Sequence, residues 1–230
     1  MGSSNDLASA RGAASCGVTS WHTDDGLPNN VVQALAQTAS GYLWVGTQKG
    51  LARFDGFRFV QFTPENCPAL PHANITALCS SRDGSLWIGT DGGGVTQWHD
   101  ETWSSLSDDN APLGRVVRCI YETSDGAVWF GTTSGLSRLQ NGTWTTWTEG
   151  DGLSDNVVRS LCEDDNGDLW VGTGKRLHRL SAGKIVETYG ATNGIDIVSI
   201  RGLWRDRHGE LWIASNAGLF CRSGNEFVRF

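Results

Sequence analysis

Leu43-Trp44-Val45-Gly46-Thr47 returns as Leu86-Trp87-Ile88-Gly89-Thr90, Val128-Trp129-Phe130-Gly131-Thr132, Leu169-Trp170-Val171-Gly172-Thr173 and Leu211-Trp212-Ile213-Ala214-Ser215. The five tryptophans follow one another at 43, 42, 41 and 42 residues. A turn pair stands ahead of each phrase: Ser40-Gly41, Asp83-Gly84, Asp125-Gly126, Asn166-Gly167 and His208-Gly209. Most phrases are followed by a second short apolar run, such as Gly50-Leu51-Ala52-Arg53-Phe54 or Gly135-Leu136-Ser137-Arg138-Leu139. Self-similarity at a fixed period outweighs local propensity, because each repeat is one supersecondary unit that cannot bury its apolar faces alone.

Each unit reads as four short antiparallel strands, called a to d here. In the first copy these are residues 31–38, 42–47, 51–54 and 57–62. Asp-Gly and Asn-Gly pairs accept positive φ and so favour tight hairpins between a and b, and again between c and d at Asp55-Gly56 and Asn141-Gly142. No helical period is long enough for the crossovers of a parallel sheet. Four strands per unit, a period near forty and one tryptophan per unit predict an all-β fold. The expected fold is a β-propeller of five four-stranded antiparallel blades at about 31–62, 74–106, 116–148, 157–189 and 199–230.

Leu35, Leu78, Ile120, Leu161 and Leu203 stand nine residues before the landmark tryptophans, and Val32, Ile75, Val117, Val158 and Ile200 twelve before. Strict strand alternation places the two sets on opposite faces of strand a, both buried between blades. The tryptophans themselves read as inter-blade packing on strand b. Residues 18–30 match 143–156, so 18–23 reads as an outer strand d without a blade of its own. One orphan strand plus five blades exceeds a closed five-bladed ring by one strand. The array is therefore expected to be part of a larger ring, the alternative being a five-bladed ring with a spare strand; an incomplete array is expected to self-associate through its terminal blades or to close with strand 18–23 beside the last blade. Residues 1–15 read as a disordered leader, and 16–230 as the repeat domain.

Net charge is −7, which disfavours a general nucleic-acid or anionic-membrane surface. No apolar run reaches membrane-spanning length, and no apolar stretch of signal-peptide type occurs. Six cysteines lack the spacing of a disulfide framework. Cys79, Cys119 and Cys162 lie on strand a and read as small apolar groups, whereas Cys16 and Cys67 lie in loops where a bridge stays open. Without Cys-x-x-Cys or His-x-x-x-His, neither a metal nor a cofactor is expected. Glu163-Asp164-Asp165-Asn166-Gly167-Asp168 has a calcium-loop look, but it occupies the a–b turn of its repeat and reads as a hairpin.

Asp25-Gly26-Leu27-Pro28-Asn29-Asn30-Val31-Val32, Gly41-Tyr42-Leu43-Trp44-Val45-Gly46-Thr47 and Gly50-Leu51-Ala52-Arg53-Phe54-Asp55-Gly56 together resemble the two-component regulator propeller repeat. The resemblance spans about residues 18–230 and recurs in register. It implies a ring of about seven blades in a periplasmic or extracellular sensor region, several of which respond to carbohydrate fragments. The resemblance implies a kinase output stage that is absent or on another chain. A non-catalytic sensor module is therefore expected.

Gln33, Thr76, Arg118, Arg159 and Arg201 stand eleven before the landmarks, where strand a begins. They are expected to ring one channel mouth, with three consecutive guanidiniums suited to a carbohydrate or small anionic ligand, and Tyr121 or Trp204 as aromatic helpers. The alternative is inter-blade pairing of these arginines with Glu122, Glu163 or Asp164. Two other classes compete: an assembly scaffold, and a propeller lyase or hydrolase. The enzyme is disfavoured because His22, His72, His99, His178 and His208 share no repeat register.

Overall fold

In a computed structural model of the protein, residues 19–106, 114–190 and 199–230 without 225 are described. The first sheet comprises β1 (Val32–Gln37), β2 (Leu43–Thr47), β3 (Gly50–Phe54) and β4 (Phe59–Phe62). The second comprises β5 (Ile75–Ser80), β6 (Leu86–Thr90), β7 (Val95–His99) and β8 (Thr102–Leu106). The third is β9 (Val117–Glu122), β10 (Val128–Thr132), β11 (Leu136–Gln140) and β12 (Thr143–Trp147). The fourth is β13 (Val158–Glu163), β14 (Leu169–Thr173), β15 (Leu177–Ser181) and β16 (Lys184–Tyr189). The last is β17 (Ile200–Arg205), β18 (Leu211–Ser215), β19 (Gly218–Ser223) and β20 (Glu226–Arg229). Each sheet is a separate antiparallel meander in sequence order. The chain is a β-propeller array of five four-stranded blades. Its inner strands lie side by side in series, β1 by β5, β5 by β9, β9 by β13 and β13 by β17.

The core is divided, one cluster per blade junction. Trp44 packs with Ile75, Leu86, Ile88 and Trp98; Trp87 with Val117, Val128 and Phe130; Trp129 with Val158, Leu161 and Val171; Trp170 with Ile200, Leu211 and Ile213. Each landmark thus faces the following blade. Trp44, Trp87, Trp129 and Trp170 are buried, and a buried indole of this size contributes on the order of 4–6 kcal/mol of transfer free energy. Trp212 is only half-buried, because no described blade follows it.

Alternation on strand a fails at one place. In every blade the a–b register slips at the residue eleven before the tryptophan: between Val32 and Ala34, Ile75 and Ala77, Val158 and Ser160, and Ile200 and Gly202, with the same slip opposite Gly131/Thr132. A β-bulge leaves one residue unpaired and inverts the parity beyond it. The residues twelve and nine before the landmark therefore share a face, the one turned to the preceding blade, and not opposite faces. Ile75 and Leu78 both join the Trp44 cluster, and Val158 and Leu161 both join the Trp129 cluster.

Within the expected outer strand 18–23, residues 19–23 also differ from expectation. Residues 19–22 are outside any strand, and Thr23–Asp25 is a single 3-10 turn. The segment repeats the geometry that leads into the fourth blade. Gly26 ends its turn at φ 106° and Gly152 ends the equivalent turn at φ 105°. Backbone N–H groups of Thr23 and Glu149 both donate to an asparagine seven residues on, Asn30 and Asn156. Trp21 lies on Phe54 (5.3 Å between rings) and Leu27 is buried against Val45 and Ala52. It pads the outer part of the first blade and does not pair with the last. The expected leader 1–15 and Cys16 lie outside the described residues.

Candidate functional site

The bulge sets where the candidate residues stand on strand a. A bulged residue is left out of the a–b ladder, so its side chain escapes the strict alternation of the strand. Gln33, Thr76, Arg118, Arg159 and Arg201 occupy this position in five successive inner strands. Each sits at the end where strand a begins, beside the b–c and d–a loops.

Two of the five are committed to the next blade. Gln33 Nε2 donates to Asn74 Oδ1 (2.9 Å), and Asn74 Nδ2 donates onward to Asp91 Oδ2 (3.1 Å). The Thr76 hydroxyl donates to the Val117 carbonyl. The arginines are less constrained. Arg118 and Arg201 are exposed, and Arg201 Nε donates to Asn216 Oδ1 (3.0 Å). Arg159 is half-buried, with Nε shielded from solvent and lacking a hydrogen-bond partner. Among the described residues none of the three is in an ion pair.

The carboxylates set against them as structural partners are engaged elsewhere. Glu122 accepts the Arg82 backbone N–H (3.0 Å) and Glu163 accepts the Ser124 backbone N–H and hydroxyl (both 2.7 Å). These bonds staple a–b turns of adjacent blades at the opposite end of strand a. Asp164 accepts the Trp170 indole N–H (2.9 Å) and the Asn166 N–H (2.9 Å). That second bond closes the hairpin of the calcium-like segment. Among the described residues no His, Cys, Asp and Glu group of three or more is arranged to hold a metal.

Tyr121 and Trp204 are not beside the arginines. Tyr121 packs against the Trp129 cluster between blades. Trp204 stands on the outward face of the last blade, 63% exposed. Both pair across the strand with a landmark tryptophan, Tyr121 with Trp129 and Trp204 with Trp212, which sets them on the following-blade face. Asn74 and Asn216 are the neighbours of these residues that repeat alignment misses. They lie in variable loops, where only their shared end of the blade could have marked them.

Three strand-a thiols and His178 are held away from solvent. Burial pushes the Cys119 thiol up to about 12 and those of Cys79 and Cys162 to about 11, so they stay protonated apolar fillers. His178 is fully buried, and its Nε2 accepts the Ser154 N–H (3.1 Å) and hydroxyl (2.9 Å). The accepted backbone N–H assigns the ring proton to Nδ1, which donates to Thr188 Oγ1 (3.0 Å). Desolvation holds its pKa down at about 4. It is a neutral strut. Inter-blade clefts at the a–b end, of about 150 and 180 Å³, fall below the usual size of ligand pockets.

The two component regulator propeller family matches the chain at residues 26–49, 69–92, 112–134 and 152–175. Each match covers the entry loop, a and b of one of the first four blades. No curated protein sequence matches the chain significantly. Among solved structures, the extracellular domain of a hybrid two component system of B. thetaiotaomicron superposes with TM-score 0.78 at 23% identity, over 90% of this chain and 29% of that one. The extracellular domain of a one component system of the same organism gives TM-score 0.71 at 18% identity, over 87% of this chain and 31% of that one. Virginiamycin B lyase from Staphylococcus aureus, solved with quinupristin as a catalytically inactive variant, gives TM-score 0.69 at 16% identity, over 89% and 71%. The chain spans about three tenths of the first two relatives, and at these identities the likeness is one of fold.

Proposed function

We propose that this chain, which carries four two component regulator propeller repeats, is a non-catalytic sensor module. It binds a carbohydrate or small anionic ligand at the mouth ringed by the bulged residues, in a periplasmic or extracellular setting. The observation that carries the reading is the set of three guanidiniums at one repeat position in consecutive blades, with no ion-pair partner among the described residues. Guanidinium forks suit carboxylates, phosphates and vicinal hydroxyls through paired hydrogen bonds. A net charge of −7 makes such a cationic arc a local exception on the surface. Against a lyase stand the burial of His178 and the scatter of the other histidines.

The test is a thermal-shift panel of oligogalacturonate, neutral xylo-oligosaccharide and citrate, followed by calorimetry on any compound that stabilises the protein. Arg159→Ala is expected to weaken binding by about 1.5–3 kcal/mol, the scale of a hydrogen bond to a charged group, while unfolding stays cooperative. Equal affinity of the variant and the parent would refute the site. The assembly-scaffold reading draws on the uncovered apolar faces of the terminal blades, and it predicts no response to any compound in the panel.

A further inference from the structure

All four blade junctions are built on one contact. The β-branched residue twelve before the landmark presses into the preceding blade where that blade has glycine, two residues after its own tryptophan. A β-carbon on Gly46 would stand 2.7 Å from Ile75 Cγ2, and one on Gly89 2.7 Å from Val117 Cγ1. On Gly131 it would stand 2.7 Å from Val158 Cγ1, and on Gly172 2.6 Å from Ile200 Cγ2. Such distances are well inside carbon–carbon contact, so the socket requires glycine.

Among the described residues, one knob and one face have no blade set against them. Val32 is the knob of the first blade, 43% exposed beside Leu35 at 61%. On the last blade the socket position holds Ala214, not glycine. The face around it is a hollow of about 400 Å³ lined by Gly202, Leu203, Trp204, Trp212, Ala214 and Leu219. Trp204 adds a second bulk, since the residue eight before the landmark is Ala36, Cys79, Tyr121 or Cys162 in the other blades. Exposed repeat faces at both ends of an array are the geometry from which head-to-tail filaments grow.

We infer that the two bare faces are matched to different partners. The Val32 face seats on a blade of this same repeat class that carries glycine two residues after its landmark tryptophan. Ala214, seconded by Trp204, bars the chain's own last blade from that role, both within one molecule and between two copies. The array therefore neither closes on itself nor grows head to tail through this contact. The inference concerns the blade ends and is independent of any ligand at the arginine mouth.

Restoring the socket supplies the probe. Sedimentation velocity over a concentration series is run on the parent chain, on Ala214→Gly, and on Ala214→Gly with Trp204→Cys, which copies the second and fourth blades. The parent is expected to show no association that Val32→Asp abolishes. The double variant is expected to associate at least tenfold more tightly than the parent, and Val32→Asp in that background is expected to reverse it. Unchanged circular dichroism and melting verify that each variant folds. Association of the parent that Val32→Asp abolishes would overturn the inference, and so would a folded double variant that associates no more than the parent.

Discussion

At the scale of single residues, the repeats act as internal controls for one another. The landmark indole N–H is satisfied six residues upstream by Ser81 Oγ (3.0 Å), Thr123 Oγ1 (3.1 Å), Asp164 Oδ2 (2.9 Å) and Asp206 Oδ2 (3.1 Å). The Trp212 bond holds the Asp206 carboxyl below the usual carboxylate range. In the first blade the equivalent Thr38 hydroxyl is occupied with Ser40 Oγ (2.9 Å), and Trp44 Nε1 is left buried without a partner. A buried unsatisfied donor is costly, so Thr38→Asp, which installs the acceptor of the fourth and fifth blades, should stabilise the protein by about 1 kcal/mol in urea unfolding. His178 sets a second test. Its folded pKa of about 4 lies below the ordinary 6.5, so the unfolded chain takes up the proton first as pH falls. Its contribution is intact above pH 6.5 and is lost progressively as pH falls towards 4, with a full loss of roughly 3 kcal/mol. Urea midpoints at pH 7, 5.5 and 4.5 should fall in that order, and more shallowly in His178→Asn.

At the scale of elements, strand number, hairpins and the tryptophan-bearing strand were legible because turn chemistry and period are local. The bulge was not, although its trace is in the sequence. Apolar residues twelve and nine before each landmark are three apart, an odd spacing that an unbroken strand cannot bury on one face. Applied to Val32 and Leu35, or Ile75 and Leu78, alternation alone gave opposite faces and was wrong by one inserted residue. The same inserted residue is the repeat position shared by the five candidate side chains. Gln33, Thr76, Arg118, Arg159 and Arg201 were recognisable as one repeat position, but Tyr121 and Trp204 were misplaced, because each stands three residues further along the strand and pairs there with a landmark tryptophan. The glycine socket makes the junction testable. Gly89→Ala sets a β-carbon 2.7 Å from Val117 Cγ1 and 3.2 Å from Ala77 Cβ, and should cost about 1–3 kcal/mol. Val117→Ala in the same chain should recover part of that loss, a coupling that a double-mutant cycle reads directly.

At the scale of the whole molecule, the five blades form an array whose stability is divided among junctions, with Val32 and Leu35 exposed at one end and Trp204 at the other. That division follows from a period near forty, and sequence alone led as far as an array exceeding a five-bladed ring. Sequence could not reveal that residues 19–27 pad the first blade, since a strand-like stretch becomes a strand only where an edge is there to pair with it. The account places recognition at the bulge mouth, away from both the a–b clefts and the bare faces. A crystal structure with the compound that gives the largest thermal shift tests this most directly. The account predicts ligand oxygens within hydrogen-bond distance of at least two of Arg118, Arg159 and Arg201. A ligand seated instead in the a–b clefts, or in the hollow beside Trp204, would contradict it.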